Sequence, residues 1–129
     1  LYDTFGPGSH GTTFGGNPLG VAVAQTVIDI VFQQSFLDEV VEKSTYLVEK
    51  LKNTLPSDQF TIRGKGLMLG IDCGQDVAPF VAKAEEKGLL LVAAGPHVLR
   101  LLPPLTVSKE EIDQAVEILE EVLLSKVLA

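Results

Sequence analysis

Near the start of the chain, Thr12 and Thr13 are the residues best placed to do chemistry. They lie in the run Gly8-Ser9-His10-Gly11-Thr12-Thr13-Phe14-Gly15-Gly16-Asn17-Pro18-Leu19-Gly20. Two hydroxyl groups stand just ahead of a helix start, because Asn17 is a strong N-cap and Pro18 suits the first helical position, where a missing N–H costs nothing. Gly11, Gly15 and Gly16 let the backbone approach a ligand closely. Hydroxyls, backbone N–H groups and the positive end of the helix dipole could together hold a phosphate or a carboxylate. A plain turn, with both hydroxyls capping local backbone, accounts for the same residues. Arg100 is the second candidate. It stands among Val98, Leu99, Leu101 and Leu102, and a guanidinium buried in such a strand needs a partner. Its planar two-point donor suits a carboxylate, of protein or of substrate. An outward-facing arginine on an edge strand is the alternative that strand alternation leaves open.

Other polar residues carry weaker signals. Arg63 and Lys65 flank a glycine-rich turn and read as structural, salt-bridged residues. The pattern Gly64-x-Gly66-x-x-x-Gly70 lies between two strands instead of opening a helix, so it fails the context test for a dinucleotide loop. His10 reads as a hydrogen-bonded loop residue, His97 as a solvated turn residue and Cys73 as a small core residue. Two distant histidines and one cysteine make no recognisable metal-ligand set.

These candidates must be positioned by an alternation of helices and short strands. A helix is predicted from Asn17 to about Gln34, apolar around most of its circumference, which implies burial or an interface. Ser35, with Asp38 three residues on, predicts a capped second helix whose apolar residues run from Leu37 to Leu55, ended by Pro56. Gln59–Arg63 and Leu67–Cys73 read as a hairpin around Gly64-Lys65-Gly66. Asp76 predicts a helix cap ahead of Val77 to Ala84, closed by Lys87-Gly88. Leu89–Ala93 and Val98–Leu102 follow as strands, and Ser108 with Glu111 predicts a capping box for a last amphipathic helix. The order α-α-β-β-α-β-β-α, with adjacent hairpins, implies an α+β two-layer domain with a short, mainly antiparallel sheet covered by helices.

Composition narrows the partners. The 129 residues suit one domain, and 46% hydrophobic with 21% charged residues is a folded composition. A net charge of −7 opposes nucleic acid and anionic membranes. The longest apolar run, Leu19 to Phe32, is interrupted by Gln25, Thr26 and Asp29 and is too short to span a bilayer. With one cysteine and no signal-peptide pattern, a reducing, cytoplasmic location is expected. Leu1, followed directly by a loop, reads like a cut inside a longer polypeptide.

Three motifs together resemble the C-terminal part of class III (subgroup II) pyridoxal-phosphate aminotransferases: His10 to Leu19, Arg63-Gly64-Lys65-Gly66-Leu67-Met68-Leu69-Gly70, and Leu99-Arg100-Leu101-Leu102-Pro103-Pro104-Leu105. The resemblance covers essentially the whole chain and is strongest to acetylornithine-using members. It implies that residues 1–16 are a cofactor and substrate loop left from a preceding large domain, and that 17–129 form the small C-terminal domain. It implies cofactor binding by Thr13, through the phosphate of pyridoxal 5'-phosphate held by a second subunit of a homodimer. Thr12 would contact the distal end of the substrate, and Arg100 the α-carboxylate of 2-oxoglutarate or glutamate. The cofactor-bearing lysine is implied to lie in the large domain, since none of the eight lysines here resembles it. The fragment alone is therefore expected to be inactive, with its own large domain, a second subunit and small amino and oxo acids as partners. Sister aminotransferases for ornithine, succinylornithine or 4-aminobutyrate, or a free-standing non-catalytic interaction domain, are the alternatives.

Overall fold

The computed structural model describes Gly6 and residues 11–125, so His10 lies outside the described residues. Eight elements follow in the predicted order α-α-β-β-α-β-β-α, and the chain divides into two compact units, Leu1–Leu37 and Asp38–Ala129.

In the first unit, Asn17 caps α1 (Pro18–Val31), its Oδ1 accepting from the Gly20 N–H at 2.9 Å. The helix stops three residues short of the expected Gln34, where Phe32 caps it and returns its N–H to the Ile28 carbonyl at 3.0 Å. No residue of α1 is buried, and Leu19 and Phe32 are each about three-quarters exposed.

The second helix, α2 (Gln34–Thr54), begins one residue earlier than its expected cap. Leu37 N–H bonds the Gln33 carbonyl, which places Ser35 inside the first turn. Beyond it, β1 (Thr61–Lys65) and β2 (Met68–Asp72) form an antiparallel hairpin with Lys65 opposite Met68. The turn is therefore the pair 66–67, not Gly64-Lys65-Gly66, and Ser44 Oγ of α2 donates to the Gly66 carbonyl at 2.7 Å. The helix α3 (Ala78–Glu86) starts after Val77, with Asp76 Oδ1 accepting from Ala78 N–H. Of the expected strand Leu89–Ala93 only β3 (Val92–Ala93) pairs, because Leu89 N–H turns back to the Ala84 carbonyl to close α3. The sheet is completed by β4 (Val98–Leu101) and runs β1-β2-β4-β3, antiparallel throughout.

Strand alternation sorts the side chains. Leu69, Ile71, Leu99 and Leu101 are buried and point to the same side as Leu47, Leu51 and Leu55 of α2, Phe80 and Ala84 of α3, and the inner stripe of α4 (Lys109–Leu124). Among the described residues no polar or charged residue is buried. The Ser108–Glu111 capping box of α4 is formed in both directions. Tyr46 Oη and Lys50 Nζ of α2 both reach Asp113 Oδ1 of α4, at 2.7 and 2.9 Å, while Lys87 of the α3 end pairs with Glu121 at 2.6 Å. Helices thus cover one face of the sheet, giving the expected two-layer α+β domain.

Candidate functional site

The two sets of candidates fall in different units. In the first, residues 12–17 make a tight turn: Gly15 N–H reaches the Thr12 carbonyl at 3.4 Å, and both the N–H and the side-chain amide of Asn17 donate to the Phe14 carbonyl, at 3.2 and 2.7 Å. A Cβ at Gly15 would overlap the Thr12 methyl, so a larger residue there would force the Thr12 side chain to rotate. Thr12 and Thr13 are exposed, and among the described residues neither hydroxyl makes a hydrogen bond. Among the described residues, then, neither hydroxyl caps local backbone. The helix end itself is a poorer anion site than the sequence suggests. Pro18 has no N–H and the N–H of Gly20 is taken by Asn17, leaving Leu19 as the free donor of the first three helical positions. Any anion here would be held mainly by hydroxyls.

In the second unit the side of the sheet away from the helices carries Thr61, Arg63 and Lys65 of β1, Met68, Gly70 and Asp72 of β2, Val98 and Arg100 of β4, and Val92 of β3. Arg100 is exposed on this face, between the buried Leu99 and Leu101. The sequence expectation of a buried guanidinium is corrected, since strand alternation turns residue 100 away from the core. Its alternative is half right: the side chain faces outward, but β4 is an interior strand between β2 and β3. Arg100 makes no ion pair among the described residues, whereas Arg63 Nη2 lies 3.4 Å from Asp72 Oδ2.

The remaining candidates are structural. Burial and then the Asp72 charge push the Cys73 thiol up to about 11, so it stays protonated at neutral pH and is no nucleophile. Its N–H donates to the His97 carbonyl at 2.8 Å, and His97 itself is exposed. Among the described residues no group of three His, Cys, Asp or Glu could hold a metal. An apolar groove of about 330 Å³, lined mostly by leucines and prolines such as Leu90, Leu102 and Pro103, brings only the carboxylate of Glu111. No single described helix is long and apolar enough to cross a membrane. Sequence reasoning missed Asp72 and the place of Gly70 beside Arg100. Counting alternation outward from the true two-residue turn would have found both.

Residues 1–123 match the family profile of aminotransferase class-III. The chain belongs to this family. Acetylornithine aminotransferase of Bacillus subtilis is 51% identical over 124 residues, 95% of this chain and 32% of that protein. The Bacillus cereus protein of the same name is 49% identical over 128 residues, 98% of this chain and 33% of that protein. The chain therefore spans about a third of the length of the curated relatives it matches. Among solved structures, ornithine aminotransferase from Toxoplasma gondii superimposes with a TM-score of 0.77 at 29% identity, over 96% of this chain and 31% of that one. Acetylornithine aminotransferase from Elizabethkingia anophelis gives 0.72 at 32% identity, over 96% and 34%. Pyridoxal phosphate partially occupies the active site of the Toxoplasma enzyme crystallized in the presence of oxidized glutathione.

Proposed function

We propose that residues 1–16 are the cofactor and substrate loop and residues 17–129 the small C-terminal domain of a longer pyridoxal-phosphate aminotransferase. That enzyme moves the amino group of N-acetylornithine to 2-oxoglutarate in arginine biosynthesis, as a cytoplasmic homodimer. The observation that carries this reading is Arg100: an exposed guanidinium without an ion pair among the described residues, on an interior strand of the sheet. Such a group is ready to bind a carboxylate in two-point geometry. The names of relatives about half identical over nearly the whole chain support the donor substrate.

The cofactor fits these residues in part. Thr13 offers an uncommitted hydroxyl to its phosphate, and Thr12 a second one to the distal end of the substrate. When bound, pyridoxal phosphate supplies the electron sink and carries the amino group. No described lysine is buried; Lys50, Lys87 and Lys109 are committed to side chains of α4 or α2, and Lys83 to Ser125 just beyond α4. By its family resemblance the lysine that bears the cofactor belongs to the remaining two-thirds of the protein, which makes this chain alone inactive. Within it, Arg100 binds and orients the α-carboxylate of 2-oxoglutarate, and Thr13 reaches the phosphate across the subunit interface.

The test is made on the full-length enzyme with N-acetylornithine, N-succinylornithine, ornithine and 4-aminobutyrate as donors, where kcat/KM is expected to be highest for N-acetylornithine. In R100K the half-reaction with 2-oxoglutarate should slow by roughly thirty- to a hundred-and-sixtyfold, the value of about 2–3 kcal/mol for a charged two-point contact, with the donor half-reaction largely spared. Equal losses in both halves would make Arg100 a structural anchor and overturn the reading.

A further inference from the structure

Arg63 and Arg100 are the only arginines in the chain, and they share one cross-strand row. Arg63 lies opposite Gly70, and Gly70 opposite Arg100. With adjacent strands about 4.8 Å apart, the two backbones are separated by about 10 Å, and nothing larger than a glycine stands between them. The next row on the same face is Thr61, Asp72 and Val98. Asp72 is thus the diagonal neighbour of both arginines, and it is the only acidic residue in the four strands. Diagonal neighbours lie within reach of side chains as long as arginine.

One carboxylate therefore faces two guanidinium groups, and the structure shows how it is shared. Arg63 Nη2 sits 3.4 Å from Asp72 Oδ2, and Asp72 Oδ1 accepts from Gly74 N–H at 3.1 Å. Each oxygen thus holds one partner, and Arg100 is without an ion pair among the described residues.

We infer that Arg63 is a positioning residue: by holding Asp72, it keeps Arg100 available to a substrate carboxylate. This rests on the carboxylate-binding role proposed for Arg100. Without Arg63, Asp72 Oδ2 loses its partner and Arg100 becomes the nearest arginine that can replace it. Each Arg100 paired with Asp72 is then lost to substrate, and the apparent affinity falls by the fraction withdrawn. An exposed pair of ordinary strength withdraws enough to weaken binding about two- to sixfold. Because the competition is for binding alone, it raises KM and leaves kcat unchanged.

The experiment uses the full-length enzyme with 2-oxoglutarate as the probe and compares R63Q, R63M, R63K, D72N and the double variant R63Q/D72N. Asp72→Asn removes the charge yet keeps an oxygen for Gly74 N–H. R63Q and R63M should each raise KM for 2-oxoglutarate about two- to sixfold with kcat little changed, and the rise should shrink at high ionic strength. R63K, D72N and R63Q/D72N should all stay near the parent value. Rescue by D72N separates the inference from a merely structural role, because a weakened sheet would not recover when a second partner is removed. An unchanged KM in both R63Q and R63M, or a double variant as impaired as R63Q, would overturn it. R100K serves as the reference. If it leaves the 2-oxoglutarate half-reaction intact, the role of Arg100 fails. If it impairs that half-reaction and the Arg63 variants do not, this inference alone fails.

Discussion

Gly64→Ala, set against Gly66→Ala, tests the hairpin on which Arg63 is mounted. Both glycines have positive φ, +142° at Gly64 and +58° at Gly66. A Cβ at Gly66 would have no atom within 4 Å, so G66A carries only the left-handed backbone cost, about 1 kcal/mol, partly offset by a less flexible unfolded chain. At Gly64 the Cβ would overlap the Met68 carbonyl oxygen and stand 2.9 Å from Leu69 Cα. Both are backbone atoms of the paired strand, and neither can rotate aside. Strain of about 1–3 kcal/mol therefore adds to the loss of one or two ladder hydrogen bonds at about 1 kcal/mol each, for a total of about 2–5 kcal/mol. That is a large part of the stability of an ordinary domain, about 5–15 kcal/mol. Urea unfolding of the 129-residue chain, followed by circular dichroism at low protein concentration, gives both values. If G64A costs no more than G66A, the register Lys65↔Met68 and the row carrying Arg63 and Arg100 are wrong.

Two further outcomes follow from ionisation. Lys109 holds Glu42, Lys50 and then Tyr46 hold Asp113, and Lys87 holds Glu121 below their ordinary pKa values, while Asp113 and Glu42 raise Lys50 and Lys109. The carboxylates' contribution is complete above the usual carboxylate range and is lost as pH falls through their lowered values. That of the lysines is complete below 10.5 and is lost as pH rises through their raised values. The urea midpoint should therefore be flat between about pH 5 and 8, fall below that range as the carboxylates are protonated, and fall above it as the Cys73 thiol, raised from 9.0 to about 11 by burial, ionises first in the unfolded chain, with D113N reducing the acid-side fall. Cys73, pushed up to about 11 by burial, should react with a disulfide reagent at pH 8 about a hundredfold more slowly in the native chain than in urea, and comparable rates would contradict its burial.

The element order and the two-layer class were legible because each helix and strand carries its own local signal. Asn17-Pro18, the Ser108–Glu111 box and the Lys87-Gly88 stop act through atoms a few residues apart, and all three formed. Errors arose where the deciding partner was distant or ambiguous. Leu89–Leu91 has the composition of a strand, but closure of α3 takes the Leu89 N–H. The three-residue turn was misplaced because Gly64 belongs to the strand and uses a positive φ there. The site was less legible than the fold. Thr12 and Thr13 were identifiable by type and place, and the lack of a hydrogen bond to their hydroxyls among the described residues only in three dimensions. Arg100 was legible as chemistry but not as environment, since its flanking leucines point the other way. Asp72 went unseen because its meaning depends on register across three strands.

The division of labour along β4 also bears on how such a domain can diverge. Leu99 and Leu101 serve the core while Arg100 faces outward, and the same holds for Leu69 and Ile71 against Asp72 on β2. Arg63, Asp72 and Arg100 lie outside the core cluster, so exchanging them costs little of the packing that keeps the domain folded. A lineage can therefore vary the residues of this face without first acquiring compensating core mutations. The cost of such change is confined to the open face, which can vary while the buried leucine lattice remains unchanged.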